Sequence, residues 1–246
     1  RFAFLTLIPP PFTGSRRPDS FIRREAALVE EISTGRRSLG PGDAAMNTRV
    51  VFIGDSITDS GRFFDGEGLG TGYVRLIRDL CAARRPDLDF EWINRGVSGD
   101  AIWHLKSRWE KDAIQTRPDW LSISIGINDV WNQLDDREPK VSLEMYEDIY
   151  RELLDRAAGA KLILMEPSLL GEDPASEGNR MLTPYVDCVR RLAEEYAAIL
   201  VPIHAACLNY LKHRRSPALT VDGVHLAGPG NALFAAEWLR AVDLWD

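Results

Sequence analysis

Short apolar runs alternate with longer amphipathic stretches along most of this chain, from position 49 onward. The first run, Val50-Val51-Phe52-Ile53, has four apolar residues in a row, which predicts a strand buried on both faces. The longer stretches have the lengths and boundary residues of helices. This alternation predicts a parallel sheet with helices on both faces. The predicted strands span 49–54, 89–94, 120–125, 161–165 and 199–202, and the predicted helices span 73–83, 102–115, 142–158, 184–197, a short segment after the fifth strand, and 229–239.

Residues 1–45 differ from the rest in their pattern. They contain the run Pro9-Pro10-Pro11 and a second stretch rich in glycine and proline at 39–42. The apolar segment 2–8 is too short, and too soon broken by proline, for a signal peptide. We therefore expect 1–45 to be a leader or mobile extension, and 46–246 to be the functional domain.

Composition narrows the classes of function. The 246 residues, 45% of them hydrophobic, suffice for an α/β domain with a sizeable core. The formal net charge of −7 argues against a nucleic-acid partner, and no apolar run approaches the roughly 20 residues of a membrane span. Cys81, Cys188 and Cys207 lie far apart without metal-ligand spacing. This pattern favours reduced thiols and predicts a cytoplasmic protein.

Four polar segments fall at positions where such a sheet places its ligands. Ser56 follows the first strand, 94–100 follows the second, 126–129 follows the third, and 222–225 lies in the last loop before the final helix. Ligands of open parallel sheets bind at the carboxyl ends of the strands. We therefore expect the four segments to converge at this edge, although the residues around Ser56 alone also fit a turn and a helix cap.

The residue types in these segments complement one another chemically. A serine hydroxyl such as that of Ser56 needs a general base, and the imidazole of a histidine such as His225 can serve as one. Asp222, three positions before it, is suited to orient the imidazole. Attack on an ester carbonyl creates an oxyanion that needs hydrogen-bond donors. The backbone N–H groups of Ser56 and Gly99 and the side-chain amide of Asn128 would supply them.

Other motifs receive weaker interpretations. The glycines at 66, 68, 70 and 72 superficially resemble a dinucleotide-binding loop, but they do not directly follow a strand, and a flexible wall of the cleft fits better. No cluster of histidine, cysteine and carboxylate residues has metal-ligand spacing, so we expect no metal and no cofactor. His104, His204 and His213 fit helix ends or surface positions, with His104 also able to border the site.

In its four segments the chain resembles the SGNH (GDSL) hydrolase family. The matching blocks are Gly54-Asp55-Ser56-Ile57-Thr58, the segment around Gly99, Gly126-x-Asn128-Asp129 and Asp222-x-x-His225, in family order. The resemblance implies a flavodoxin-like three-layer α/β/α sandwich with a five-stranded parallel sheet, and an esterase activity. The resemblance also implies the roles that the residue types suggest. Ser56 is the nucleophile, His225 is the base, and Asp222 orients the base. The oxyanion hole is formed by Ser56, Gly99 and Asn128.

Further segments resemble the intracellular acetylxylan esterase branch of this family. They are Asp59-Ser60-Gly61-Arg62, the stretch 68–74, Arg108-Trp109 and the stretch 126–131. This closer resemblance implies a small carbohydrate ester as substrate and a homo-oligomeric assembly. We predict substrate contacts for Asp55 and Trp131, with Trp131 either stacking on a sugar ring or packing in the core.

Two rival functions remain open at this stage. One is a lysophospholipase or thioesterase, which would need an apolar groove for an acyl chain. The other is a binding module that has kept the fold and lost turnover, against which the intact Ser56, Asp222 and His225 argue.

Overall fold

The computed structural model describes residues 47–137, 139–213 and 216–245, and the predicted leader at 1–45 lies outside them. Five strands of the described part form a single sheet in which every pairing is parallel. They are β1 (Thr48–Gly54), β2 (Phe90–Gly96), β3 (Trp120–Ser124), β4 (Lys161–Met165) and β5 (Ile199–Val201). Their spatial order is β2-β1-β3-β4-β5.

This order confirms the predicted flavodoxin-like sheet. The strand order reverses beside β1, so a crevice opens there at the carboxyl ends of the strands. The run from Val50 to Ile53 is fully buried, as its unbroken apolar character predicts. The polar segment that follows β1 therefore begins at this crevice.

Helices cover both faces of the sheet. α1 (Ser56–Asp59), α2 (Tyr73–Arg84), α3 (Ile102–Trp109), α4 (Ile127–Leu134), α5 (Leu143–Arg156), α6 (Glu177–Glu195), α7 (Ile203–His213) and α8 (Gly228–Ala241) follow in chain order. α8 packs against α2 and α7, whereas α5 packs against α3 and α6. These two groups form the outer layers of a three-layer sandwich.

An aromatic cluster joins the sheet to α2 and α8. The Phe52 ring of β1 contacts Tyr73, Trp92 and Trp238, with ring centroids 5.2–6.2 Å apart. Trp238 is fully buried, and its indole N–H donates to Ser122 Oγ at 3.0 Å. Ser122, a polar residue inside the β3 run, therefore accepts from the only side-chain donor of a buried tryptophan.

The main error in the predicted helices concerns α6. Pro184 was expected at the first turn, where proline is favoured, but it lies inside a helix that begins at Glu177. The true start is marked by Ser176, whose side chain accepts a hydrogen bond from Asn179 N–H at 3.3 Å.

Three local features were not predicted. The short helix α1 and the helix α4 begin at positions predicted as loop, and the expected helix 102–115 changes at Glu110 into a π-helical segment, Glu110–Ile114. The strands are confirmed within two residues at each end. Buried apolar runs thus located the sheet well, whereas short helices at its polar edge gave no periodic signal.

Candidate active site

Ser56 sits on a tight turn between β1 and α1. Gly54 ends the strand, and a side chain there would meet the carbonyl oxygen of Ser124 at 2.2 Å, so only glycine lets β1 approach β3 so closely. Asp55 is the N-cap of α1, with its carboxylate accepting from Ile57 N–H at 2.9 Å. Ser56 is the first residue of α1 and half-buried at the carboxyl edge of the sheet.

His225 and Asp222 come from the loop before α8, as predicted. His225 Nε2 lies 3.0 Å from Ser56 Oγ, and His225 Nδ1 lies 2.7 Å from Asp222 Oδ2. The three side chains therefore form a continuous chain of hydrogen bonds. Distances of this kind allow a histidine to take the serine proton while the carboxylate holds the ring.

The Asp222 carboxylate also organises its own loop. Its Oδ1 accepts from Val224 N–H at 3.0 Å and from His225 N–H at 2.8 Å. The hydrogen bond with the His225 side chain, aided by these backbone donors, lowers the pKa of Asp222 to about 2. Asp222 is therefore ionised throughout the neutral range and can stabilise an imidazolium at His225.

The predicted oxyanion donors lie on two further segments of the same edge. Gly99 has a φ of +86°, in the left-handed region that favours glycine. Within the described residues, neither Ser56 N–H nor Gly99 N–H is taken by a protein acceptor. Asn128 is the second residue of α4, and its Nδ2 donates to the Asp100 carbonyl oxygen at 2.9 Å. Among the described residues, no protein acceptor takes the second N–H of this amide.

Asp55 is not placed for the substrate contact that we predicted. Its side chain is only 2% exposed and serves as the cap of α1. Burial raises the pKa of Asp55 to about 7. The predicted substrate contact is wrong because the Asp55 carboxylate turns inward and accepts a hydrogen bond from the first turn of α1.

A second buried carboxyl, Asp129, plays a similar part for α3. It is fully buried, and both of its oxygens accept from Ile102 N–H, at 3.1 and 3.2 Å. Burial, with a smaller contribution from the charge of Asp55, raises its pKa to about 7. The Asp of the Asn128-Asp129 pair therefore supports the site from inside.

A cleft of about 240 Å³ opens over Ser56. Most of its lining is small or polar, and several lining residues were not singled out from the sequence because single serines and asparagines carry no distinctive pattern. The lining residues are Ser56, Ile57, Ser60, Gly61, Ser98, His225, Leu226 and Asn231. Of the loop 61–72, which carries the glycines at 66, 68, 70 and 72, only Gly61 lines the cleft, so these four glycines do not form the predicted wall.

That glycine-rich loop is tied down rather than flexible. The Asp65 carboxylate accepts from Leu69 N–H at 2.9 Å, from Gly70 N–H at 3.1 Å and from Arg75 at 2.6 Å. The predicted flexibility of this loop is therefore wrong, because one carboxylate near its centre holds it. The loop also carries Phe63, which is 70% exposed and stacks against the Arg62 guanidinium at 4.0 Å.

Other residues named from the sequence fall into two groups. Trp131 is 38% exposed on α4, so it is open to a ligand, whereas Trp109 is fully buried in the core.

His104 accepts a hydrogen bond from Ala101 N–H at the start of α3. His204 was expected near a helix end or the surface; it does lie at the start of α7, but it is 6% exposed, with Nδ1 2.5 Å from the Ser168 carbonyl oxygen. His213 is exposed at the end of α7.

The described residues contain neither a metal-binding cluster nor a helix that could span a membrane. Across 47–137, 139–213 and 216–245, no group of three or more histidine, cysteine or carboxylate side chains is arranged to hold a metal ion. In the same segments no helix combines the length and apolarity needed to cross a membrane.

Comparison with known proteins places this geometry in a family. Residues 52–233 match the model of the GDSL-like lipase/acylhydrolase family, a span that contains every triad and oxyanion residue described above. The chain belongs to the GDSL-like lipase/acylhydrolase family.

Relatives of this GDSL hydrolase include enzymes with assigned activities. An acetylxylan esterase of Geobacillus stearothermophilus is 39% identical over 204 residues, which cover 79% of this chain and 93% of the relative. The crystal structure of Axe2, an acetylxylan esterase of the same organism, superposes with a TM-score of 0.74 at 36% identity, covering 81% of this chain and 96% of Axe2. LAE5, an alpha/beta hydrolase from the metagenome of Lake Arreo, Spain, superposes with a TM-score of 0.77 at 32% identity, covering 82% of this chain and 98% of LAE5.

Variants of Axe2 offer a further parallel for this GDSL hydrolase. Three of them, described as catalytic mutants, replace a serine, an aspartate and a histidine by alanine. The aspartate and histidine of Axe2 are three positions apart, the spacing of Asp222 and His225 here.

Proposed function

We propose that this protein is a serine esterase that removes acetyl groups from small carbohydrate esters. The observation that carries the proposal is the chain of hydrogen bonds from Asp222 through His225 to Ser56, 2.7 and 3.0 Å long. The similarity to an acetylxylan esterase supports acetylated xylo-oligosaccharides as the substrate class.

In the proposed first step, Ser56 Oγ attacks the acetyl carbonyl carbon while His225 Nε2 takes the hydroxyl proton. The carbonyl oxygen becomes an oxyanion, which accepts hydrogen bonds from Ser56 N–H, Gly99 N–H and Asn128 Nδ2. The bond between the carbonyl carbon and the sugar oxygen then breaks, and that oxygen takes the proton from His225. The products of this step are the free sugar hydroxyl and acetyl-Ser56.

Water completes the cycle. His225 takes a proton from a water molecule as its oxygen attacks the acetyl carbon, and a second oxyanion forms in the same place. The bond to Ser56 Oγ breaks, the serine recovers its proton from His225, and acetic acid leaves and ionises to acetate. Asp222, with its pKa of about 2, keeps its negative charge through both steps.

The size and lining of the cleft favour a short acyl group over a long one. About 240 Å³ opens over Ser56, lined by Ser60, Ser98 and Asn231 among others. A long acyl chain would need an extended apolar surface to repay its desolvation. The rival lysophospholipase or thioesterase function predicts a groove of that kind next to Ser56.

A panel of esters separates these functions. Purified protein is assayed with acetylated xylo-oligosaccharides and with p-nitrophenyl acetate, butyrate and octanoate. The proposal predicts kcat/KM highest for the acetyl esters, with release of acetate from the oligosaccharides. A preference for octanoate would establish the acyl-chain hydrolase instead, and no turnover of any ester would establish the binding module.

Trp131 is our proposed contact for the sugar. It lies one helical turn after Asn128 on α4 and is 38% exposed, so its ring is open on the side of α4 that carries Asn128. Trp131→Ala should raise KM for an acetylated xylo-oligosaccharide about threefold to tenfold, with p-nitrophenyl acetate unaffected. Leu134→Ala is the matched control, because Leu134 is equally exposed, at 39%, on the same helix. Equal KM values in all three proteins would remove Trp131 from the sugar site.

We also propose a cytoplasmic location and a homo-oligomeric assembly. The three cysteines are free and buried, which fits a reducing compartment. Exposed aromatic side chains, Phe63, Phe64 and Trp131, are compatible with self-association. Cell fractionation and light scattering coupled to gel filtration test the two proposals, and a secreted or strictly monomeric protein would refute them respectively.

A further inference from the structure

We propose that Asp59 and Ser98 are positioning residues, and that the hydrogen bond between them sets the spacing of two oxyanion donors. Ser98 Oγ donates to Asp59 Oδ2 at 2.7 Å. Asp59 is the last residue of α1, the helix that begins with Ser56, and Ser98 immediately precedes Gly99. This bond, here named the Asp59–Ser98 clamp, connects the segments that present Ser56 N–H and Gly99 N–H.

Other contacts between these segments stop before Ser98 and Gly99. Asn94 Nδ2 donates to the Thr58 carbonyl oxygen at 2.6 Å, and a side chain at Gly96 would meet Asp59 N at 2.2 Å. Val97 N–H donates to the Gly54 carbonyl oxygen at 3.0 Å. Ser98 and Gly99, which are exposed, therefore depend on contacts of their own.

The Gly99 loop is fastened on its other side as well. Asn128 Nδ2 donates to the Asp100 carbonyl oxygen, and the Asp100 carboxylate accepts from Arg108 at 2.7 Å. Arg108 also donates to the Gly54 carbonyl oxygen at 3.0 Å. Gly99 thus lies between the Asp59–Ser98 clamp, which connects it to α1, and a second set of bonds, which connects Asp100 to Asn128 and, through Arg108, to the end of β1.

Charge and burial suit Asp59 to this part. Asp59 is 7% exposed, and the Arg62 guanidinium lies 3.8 Å from its Oδ1 while donating to the Gly96 carbonyl oxygen at 2.6 Å. Within the described residues Oδ1 itself has no hydrogen-bond partner. Ser98 therefore supplies the only side-chain donor that the structure gives this carboxylate, and a charged acceptor makes that bond a strong one.

The consequence falls on the transition state rather than on substrate binding. Oxyanion donors contribute most when they are fixed before the charge develops. Loss of the clamp leaves the Gly99 segment held by the bonds of Val97 and Arg108 to Gly54, neither of which involves α1, so the distance between Gly99 N–H and Ser56 N–H becomes more variable. The oxyanion is then stabilised less, whereas the ground-state ester, which carries little charge, binds as before.

This inference rests on the proposed esterase function but not on the identity of the sugar. Its test therefore uses p-nitrophenyl acetate and a short alkylboronic acid, which adds to the serine hydroxyl and mimics the tetrahedral oxyanion. Turnover of p-nitrophenyl acetate by the wild type tests the proposed function separately. The ratio of boronate affinities between variants tests the clamp.

The variants are Ser98→Ala, Ser98→Thr, Asp59→Ala and the double alanine variant, with Ser107→Ala as control. Ser107 is an exposed serine of α3 whose hydroxyl also donates to an acceptor of the protein, the His104 carbonyl oxygen. We expect Ser98→Ala to lower kcat and to weaken boronate binding by about tenfold each, with KM within about twofold. Ser98→Thr should recover most of the loss, and Ser107→Ala should behave as wild type.

The double alanine variant shows whether Asp59 and Ser98 act through one bond or affect kcat separately. Because both residues act through one bond, Asp59→Ala should cost nothing further in the Ser98→Ala background. Losses that multiply would overturn the proposal, as would a Ser98→Ala protein with wild-type kcat or with a change in KM alone. Should the Asp59 variants fail to fold, Ser98→Ala and its rescue by threonine still decide the matter, because Ser98 is exposed.

Discussion

Ser56 and His225 approach within 3.0 Å, between Oγ and Nε2, yet they come from regions of very different burial. Around Ser56, the side chains of Asp55, Thr58 and Asn94 are at most 2% exposed. On the other side, the side chains of Asp222 and His225 are each 51% exposed. One half of the triad is built into the sheet edge, and the other half stands on a surface loop.

The surface loop is held mainly by its own backbone and by its flanks. Val221 N–H donates to the His225 carbonyl oxygen at 2.8 Å, and Thr220 forms an antiparallel bridge with Leu226. Glu172 anchors the loop from outside, with Oε1 accepting from both the N–H and the hydroxyl of Thr220 at 2.8 Å. A few hydrogen bonds thus replace the packing that fixes Ser56.

The carboxyl groups of the two regions shift in opposite directions. Burial raises the pKa of Asp55 and of Asp129 to about 7, whereas the hydrogen bond with His225 lowers that of Asp222 to about 2. The buried carboxyls act as hydrogen-bond acceptors for helix starts. The exposed carboxylate keeps a full charge beside the histidine. The buried carboxyls therefore fix the positions of the helices around Ser56, whereas the exposed Asp222 supports proton transfer by His225.

The largest effect is expected at the centre of the buried region. Ser56→Ala removes the attacking oxygen, so kcat for p-nitrophenyl acetate should fall by about 10⁴- to 10⁶-fold. Steady-state assays of the variant and of Ser107→Ala measure it. Hydrolysis close to the wild-type rate in Ser56→Ala would contradict a serine nucleophile.

Asn128→Ala should have the next largest effect, because the side-chain amide is the third proposed donor. We expect kcat to fall about 10²- to 10³-fold with little change in KM. Asn132→Ala, on the same helix, is the control and should retain activity. An unchanged rate in Asn128→Ala would leave the oxyanion to the two backbone donors.

A smaller effect is expected from loosening the base loop. Glu172→Ala removes the acceptor of Thr220, and we expect kcat to fall by about threefold to tenfold. Glu172→Gln keeps an oxygen for the same bonds and should recover most of the activity. A loss in Glu172→Ala as large as that of Asn128→Ala would erase the contrast between the two regions.

The smallest effect on activity, and a clear one on stability, is expected from Asp129→Asn. The pKa of Asp129 is raised from 3.8 to about 7 in the folded protein, so the folded state holds an extra proton between these pH values. Unfolding is then favoured as pH rises through this window. Asparagine does not ionise and can still accept from Ile102 N–H.

The fall in Tm of Asp129→Asn between pH 5.5 and 8.5 should therefore be about half that of the wild type, since Asp55 still titrates. Calorimetry at several pH values measures it. A steeper fall in the variant would show that the Asp129 charge is stabilising, against the direction given by its burial.

The sequence located the functional residues of both regions, but it did not predict the contacts that hold the buried region. Apolar runs such as 50–53 located the strands, and the four polar segments predicted Ser56, Gly99, Asn128, Asp222 and His225 at one edge. The inward turn of Asp55 was missed because a helix cap and a cleft residue look alike in sequence. The contact between Asp59 and Ser98 joins residues 39 positions apart and leaves no local pattern.

The predicted start of α6 is wrong because a local preference of proline was taken as the helix boundary. Pro184 fits the start of a helix by its fixed φ, but the real N-cap is Ser176, eight residues earlier. Glu172 and Thr220 could not be paired from sequence either, since neither lies in a recognisable motif.

The central claim is that Ser56 of the buried region is a nucleophile activated by His225 of the surface loop. Labelling with a fluorophosphonate, followed by peptide mass spectrometry, tests it most directly in the wild type and in His225→Ala. The account predicts one adduct, on Ser56, with loss of esterase activity in step with labelling and a reaction at least about 10²-fold slower in His225→Ala. An adduct on another residue, or labelling of Ser56 at the same rate without His225, would contradict it.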